Sequence, residues 1–218
     1  MPRRLIPFVP NTYYHLYNRG NNRERIFFEQ ANYLYFLRGL KNYVLPVADI
    51  IVYCLMPNHY HIVVRFKELP QTSEVFFEDS KIKESGVETS EVLTPLSRAM
   101  KNFLISYSKS MNKRYSRVGT LFQGTFKAKP VETYNYLLNL CIYIHANPVK
   151  DGLVEEIKDW PYSNYLEWLG ERRGSLVDMD FVHDHFEFPG EYQALVLQYL
   201  KSRDLPEDIR RYLNLLEE

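Results

Sequence analysis

Residues 48–66 read Ala-Asp-Ile-Ile-Val-Tyr-Cys-Leu-Met-Pro-Asn-His-Tyr-His-Ile-Val-Val-Arg-Phe, and this stretch decides the fold that we predict. Two apolar, β-rich runs flank Met-Pro-Asn, whose proline suits a tight turn. We therefore expect two antiparallel strands, residues 48–55 and 59–66. Because side chains alternate along a strand, His59 and His61 point to one face and Tyr60 to the other.

The segments around this hairpin alternate between strand and helix patterns, judged by the spacing of apolar residues and by Gly and Pro. We predict a strand over 12–19, a helix over 29–44, a basic helix over 95–115, a strand over 125–132 and a helix over 133–147 that Pro148 closes. The acidic segment 67–91 is expected to be a long connection. The order β-α-β-β-α-β followed by a helix predicts an α+β fold, a ferredoxin-like antiparallel sheet with helices on one face.

Charge divides the chain into two parts, although its formal net charge is zero. Residues 1–150 contain 20 Lys and Arg against 11 Asp and Glu, whereas residues 151–218 contain 7 against 16. We expect residues 1–150 to form the main domain. The acidic residues 151–218 are predicted to be a mainly helical C-terminal extension packed on it, with helices over 164–169, 192–200 and 207–216.

Several classes of protein are disfavoured by the sequence. The apolar runs are strand-sized, far short of the roughly 20 residues of a membrane helix, so we expect no membrane partner. The N-terminus lacks the apolar region of a signal peptide, and the two cysteines, Cys54 and Cys141, have no disulfide-type spacing. A cytoplasmic protein with both thiols in the core is expected.

Residues 92–131 contain no acid and interleave Lys and Arg with aromatic side chains, a pattern typical of a nucleic-acid partner. A solvated helix face is the alternative. The basic residues that we predict as phosphate contacts of a nucleic acid, in this stretch and after the first strand, are Arg19, Arg23, Arg25, Arg98, Lys101, Lys109, Lys113, Arg114, Lys127 and Lys129.

The paired histidines raise the hypothesis of a metal site, because two imidazoles on one strand face can share a cation. Tyr143 and Asn147 lie one turn apart on the last helix, so an amide oxygen and a phenol could join them. A phenol beside a metal-bound phosphate can act as a nucleophile. From the residues alone, two ordinary half-buried histidines and a packed Tyr143 are the alternatives, and Tyr134 and Tyr136 are equally plausible candidates on the same helix.

The order of these motifs resembles the single-tyrosine HUH transposases, particularly the branch associated with repetitive extragenic palindromes (REP). The resemblance spans about residues 8–169. Its blocks are His-Tyr-His at 59–61 after Met-Pro-Asn, Tyr-Ile-His-Ala-Asn-Pro-Val at 143–149, Gly-Leu-Val at 152–154, Tyr-His-Leu-Tyr-Asn-Arg-Gly-Asn at 14–21, Gly-x-Leu-Phe-Gln at 119–123 and Trp-Pro-Tyr-Ser at 160–163.

The resemblance implies a role for each residue of the motif. Residues 1–150 would be an HUH catalytic domain, with His59, His61 and Asn147 as ligands of Mg²⁺ or Mn²⁺ and Tyr143 as the nucleophile. The implied reaction cleaves and rejoins single-stranded DNA beside a hairpin through a 5′-phosphotyrosine. Many relatives have Gln as the third ligand, and Asp151 interrupts the usual Asn-Pro-Val-Arg-Ala-Gly run.

Two rival functions remain open: a hairpin-binding module that has lost catalysis, and a metal-dependent nuclease without a covalent intermediate. The sequence also leaves open whether the protein is a monomer or a homodimer, and whether Tyr143 acts in its own chain or in a partner. The DNA target, activity in a host and the role of the extension, such as an acidic cover over the basic surface, are not indicated.

Overall fold

A computed structural model describes residues 8–69 and 94–217 of the chain. Most of the predicted acidic connection, 67–91, lies outside the described residues. The described part contains four strands and seven α-helices. They are β1 (Tyr13–Arg19), α1 (Gln30–Gly39), β2 (Ala48–Met56), β3 (His59–Phe66), α2 (Pro95–Arg114), β4 (Lys127–Val131), α3 (Tyr134–Lys150), α4 (Tyr165–Trp168), α5 (Met179–His185), α6 (Pro189–Ser202) and α7 (Glu207–Glu217).

The strands form one antiparallel sheet in the order β2-β3-β1-β4, which is the ferredoxin-like arrangement predicted from the sequence. Alternation gives the sheet two buried faces. Leu16, Tyr60 and Ile62 belong to the core formed with α1 and α2, whereas Val63 and Val131 belong to the core formed with α3 and the C-terminal helices. The two helices of the β-α-β-β-α-β unit thus share one face, and the HUH histidines point to the other.

Helix α3 begins after Thr133, whose hydroxyl accepts a hydrogen bond from the Tyr136 amide at 3.2 Å. The predicted end at residue 147 was wrong, because the helix continues through Pro148 to Lys150. Proline removes one hydrogen bond, yet the Asp151 amide still donates to the Asn147 carbonyl at 2.8 Å. Close packing of this last turn, where Asn147 and Pro148 are both buried, overrides the local preference against helix.

The residues after α3, called the extension below, pack against the edge strand β2. Where β2 is irregular, the Asn164 side chain takes the place of a strand: its Nδ2 donates to the Ile51 carbonyl at 2.8 Å and its Oδ1 accepts from the Tyr53 amide at 2.6 Å. Trp168 Nε1 also donates to the Ile51 carbonyl, at 3.1 Å. Helices α6 and α7 pack on α3. Of the extension helices, α5 had no counterpart in the sequence prediction.

Across the described residues, none of the helices has the length and apolar character needed to cross a membrane.

Candidate functional site

A pocket of about 270 Å³ opens on the sheet face that α3 covers. Its walls come from β1, β3, the Met-Pro-Asn connection, the start of β4 and the last turns of α3. The four residues predicted as metal ligands or nucleophile all line it, namely His59, His61, Tyr143 and Asn147. Residues far apart in the sequence therefore meet in one chain.

The two HUH histidines are held by their Nδ1 atoms. His59 Nδ1 lies 2.7 Å from Asn58 Oδ1, and Asn58 Nδ2 donates to the Arg23 carbonyl at 3.3 Å. The Asn58 oxygen is thus the acceptor, so the proton of neutral His59 is on Nδ1 and its lone pair is on Nε2. A metal-ligating imidazole needs this arrangement, in which the other ring nitrogen is hydrogen-bonded.

His61 contacts a third histidine that lies deeper in the sheet. His61 Nδ1 is 2.9 Å from His15 Nε2, and the two rings stack with centroids 5.1 Å apart. Burial lowers the pKa of His61 well below its usual range, with further lowering by the nearby His59, His15 and Lys150. Burial, assisted by the cation of Lys129, lowers the pKa of His15 to about 3. Both imidazoles are therefore neutral at physiological pH, the form that binds metals.

Tyr143 lies against His61 and Lys150. The Tyr143 and His61 ring centroids are 6.2 Å apart in an edge-to-face arrangement. Lys150 Nζ donates to the Tyr143 hydroxyl at 3.1 Å and lies 4.7 Å from the centre of the Tyr143 ring. Tyr143 is buried, with 4% exposure, and it lines the pocket. A cation thus stands beside the oxygen that would change charge in a nucleophilic reaction.

Asn147 follows Tyr143 by one helical turn and is also buried. Its Nδ2 atom has no hydrogen-bond partner within residues 8–69 and 94–217. The same residues contain no cluster of three His, Cys, Asp or Glu that could hold a metal ion. A cation bound by the two histidines in this pocket would therefore need an oxygen ligand that is not a carboxylate. An amide oxygen or a DNA phosphate oxygen could supply it.

The pocket is rich in positive charge. Arg19, Arg23, Lys127 and Lys150 line it, together with one carboxylate, Asp151, which the sequence placed near the site. A pocket with this balance favours an anionic group such as a phosphate.

The other predicted phosphate contacts lie elsewhere. Five of them are exposed on α2, across the sheet from the pocket: Arg98, Lys101, Lys109, Lys113 and Arg114. Arg114 also pairs with Glu29. Arg25 is exposed but does not line the pocket, and Lys129 Nζ donates to the Tyr136 hydroxyl at 3.0 Å.

The structure distinguishes Tyr143 from the alternative tyrosines of α3. Tyr134 is 46% exposed and stacks on His185, while Tyr136 bonds Lys129, and neither lines the pocket. His145, two residues after Tyr143 on α3, does not line the pocket either. It is fully buried, because it faces the extension, where its ring contacts Tyr192 and Asn164.

Lys150 is a site residue that sequence reasoning missed. It follows Tyr143 by seven residues, two turns of helix, so the spacing would have placed both on one face had the helix been predicted past Pro148. No comparable spacing could have predicted the contact of Tyr212 with His15, because 197 residues separate them in the sequence.

Comparisons with known proteins find a similar sequence and a similar fold that bear on this site. No protein-family model matches the chain. A curated protein of Haemophilus influenzae named REP-associated tyrosine transposase is 26% identical over 117 residues, 54% of this chain and 58% of the relative. The chain thus matches little more than half the length of that relative.

A solved structure described as a REP-associated tyrosine transposase bound to a REP hairpin matches the fold with a TM-score of 0.54. It covers 82% of this chain and 94% of its own, at 15% sequence identity. In sequence over about half its length and in fold over most of it, this chain is similar to the REP-associated tyrosine transposases, which confirms the resemblance that its motifs indicate.

Proposed function

We propose that this protein is a transposase of the single-tyrosine HUH type, which cleaves and rejoins single-stranded DNA near hairpins. The observation that carries the proposal is the meeting of His59, His61, Tyr143 and Asn147 in one cationic pocket. The curated relative and the solved structure, whose names specify a tyrosine transposase and a REP hairpin, support the same reaction class.

Tyr143 is the proposed nucleophile. Its phenol oxygen would form a bond to a DNA phosphorus while the bond from phosphorus to the 3′ oxygen breaks. The products are a 5′-phosphotyrosine and a free 3′-hydroxyl, and attack of a 3′-hydroxyl on the phosphotyrosine reverses the step. Lys150, 3.1 Å from the phenol oxygen, would stabilise the negative charge that this oxygen has before attack and regains as the leaving group in rejoining.

The residues present fit a divalent cation. His59 and His61 are each hydrogen-bonded through Nδ1, and the Asn147 side-chain nitrogen has no hydrogen-bond partner among the described residues. These three would hold Mg²⁺ or Mn²⁺, and Mn²⁺ tolerates imidazole ligands better. The bound ion would polarise the phosphate and stabilise the leaving 3′ oxygen.

Arg19, Arg23 and Lys127 would bind DNA phosphates next to the cleaved bond, because they border the pocket. The exposed cations of α2 would contact a more distant part of the same DNA. In this proposal the pocket residues position the phosphate that is cleaved, and the α2 residues contribute to the overall affinity for DNA.

Covalent trapping tests the proposal. A labelled single strand carrying a hairpin is incubated with protein and Mg²⁺ or Mn²⁺, and denaturing gels detect a protein–DNA adduct. We expect an adduct with wild type and with Tyr134→Phe, a control on the same helix outside the pocket, and none with Tyr143→Phe. Cleavage without an adduct would favour the nuclease, and binding without cleavage would favour the non-catalytic module.

A second variant separates metal binding from DNA affinity. We expect His59→Ala to abolish cleavage while DNA binding largely survives, since affinity should depend mainly on Lys and Arg contacts with phosphates. Equal loss of cleavage and binding, measured on the same oligonucleotide, would contradict the assignment of His59 as a metal ligand.

A further inference from the structure

The last helix of the extension reaches the interior of the candidate site. Tyr212 on α7 is buried, and its hydroxyl lies 2.7 Å from His15 Nδ1. His15 in turn lies 2.9 Å from His61 through its other ring nitrogen. Three side chains from α7, β1 and β3 thus form one continuous hydrogen-bonded row that ends at a proposed metal ligand.

The directions of these hydrogen bonds are linked. A neutral imidazole has one donor and one acceptor nitrogen. If His61 Nδ1–H donates to His15 Nε2, then the proton of His15 is on Nδ1 and is donated to the Tyr212 oxygen. The reverse order would put a proton on His61 Nε2, which faces away from His15, and would block metal binding there. A tyrosine hydroxyl can accept as well as donate. The Tyr212 hydroxyl is also hydrogen-bonded to Tyr17, which can take its proton and leave the Tyr212 oxygen to accept from His15 Nδ1. With that direction, the contact at Tyr212 sets the tautomer of His15 and, through it, that of His61.

The surroundings hold this row in place. His15 is fully buried, and its ring stacks on Tyr17 with centroids 4.9 Å apart. Lys129 Nζ lies 3.6 Å from the centre of the Tyr212 ring, on the side of β4. A cation at this distance is attracted by the ring face and fixes the orientation of the phenol.

We propose that His15 and Tyr212 are positioning residues that keep His61 in the Nδ1–H tautomer and direct its Nε2 to the cation. The proposal rests on the proposed function, because it concerns the metal held by His59 and His61. It makes the C-terminal extension part of the active site, rather than an appendage or a cover. Ligand imidazoles commonly depend on such outer partners, whose loss weakens metal binding.

The chain supplies a matched control for this test. Tyr192, also in the extension, places its hydroxyl 2.7 Å from His145 Nδ1, the same type of buried bond at the same distance. His145 does not line the pocket. Tyr192→Phe should therefore cost about as much stability as Tyr212→Phe while leaving the metal ligands unchanged.

The test is calorimetric titration of Mn²⁺ into the full chain without DNA. We expect His15→Phe to weaken Mn²⁺ binding by roughly 10-fold to 100-fold and Tyr212→Phe by a smaller factor, at least about threefold, while Tyr192→Phe binds as wild type does. Wild-type affinity in Tyr212→Phe and His15→Phe would contradict the inference alone. Equal weakening by Tyr192→Phe would also contradict it, since the effect would then be general. Absence of Mn²⁺ binding by wild type, or unchanged binding by His59→Ala, would contradict the metal site of the proposed function.

A metal-independent measurement tests the inference in every case. In ¹⁵N NMR spectra of the histidine side chains of the metal-free protein, we expect His61 to carry its proton on Nδ1 and to show both tautomers in Tyr212→Phe. A wild-type His61 protonated on Nε2, or a His61 tautomer unaffected by Tyr212→Phe, would overturn the inference.

Discussion

The ammonium of Lys150 lies 3.1 Å from the phenol oxygen of Tyr143 and 4.7 Å from the centre of its ring. Both residues belong to α3 and are two turns apart, so the helix itself sets the distance between them. The contact places a fixed positive charge at the oxygen proposed to form and release the bond to phosphorus.

Replacement of Lys150 by Met should slow adduct formation between about tenfold and 100-fold, at or below the lower end of what loss of one preorganised donor costs. Lys150→Arg should retain most of the rate because it keeps a cation. Single-turnover measurement of adduct formation checks this, with Lys158→Met as the control, since Lys158 is exposed and pairs with Glu156. If Lys150→Met formed the adduct at the wild-type rate, the proposed role of Lys150 in the reaction would be wrong.

Tyr143 and His59 line the same pocket of one chain, which predicts that the tyrosine acts on its own HUH face. An equimolar mixture of Tyr143→Phe and His59→Ala should therefore remain as inactive as each variant alone in the adduct assay. Recovery of adduct in the mixture would mean that the helix serves a partner subunit instead.

Asn164 should contribute strongly to stability. Asn164→Ala leaves the Tyr53 amide and the Ile51 carbonyl without the side chain that bonds them, so we expect a loss of about 2–4 kcal/mol in the free energy of unfolding. Urea denaturation measures it. Asn139→Ala on α3, where the side chain donates an exposed hydrogen bond to the Asn135 carbonyl, should change stability by less than about 0.5 kcal/mol. Similar values for both variants would contradict the role of Asn164.

The free energy of unfolding should fall at alkaline pH, and Tyr33 should account for part of this fall. Its ring stacks on Tyr162 with centroids 3.7 Å apart, and burial, with Tyr162 adding, raises the pKa of Tyr33 to about 12. An unfolded tyrosine loses its proton near pH 10, so between about pH 10 and 12 the unfolded chain is favoured by on the order of 1.4 kcal/mol per pH unit. The urea midpoint of unfolding should fall less between pH 8 and pH 11 for Tyr33→Phe than for wild type. An equal fall in both proteins would contradict this.

The sheet and its helices could be predicted because each depends on local information. The alternation of residues 59–66 fixes which face carries the histidines, and the predicted bounds of β3 match the structure. The end of α3 could not be predicted, because burial of Asn147 and Pro148 outweighs the local effect of proline. That one error also hid Lys150.

The surroundings of the site were beyond sequence reasoning for a different reason. His15 and His145 are both fully buried, and each is hydrogen-bonded to a tyrosine of the extension that is distant in the sequence. Such contacts depend on how α6 and α7 pack against α3, and periodicity within one helix contains no information about its partner. The positions of the α2 cations, across the sheet from the pocket, likewise follow from topology alone.

The central claim is that Tyr143 forms the covalent bond to DNA in the pocket that His59 and His61 line. Its most direct test is mass spectrometry of the trapped adduct after nuclease and protease digestion, which identifies the modified residue. We predict a 5′-linked phosphonucleotide on the peptide that contains Tyr143 and on that tyrosine. A nucleotide on any other residue, or efficient metal-dependent cleavage that never produces an adduct, would contradict the account.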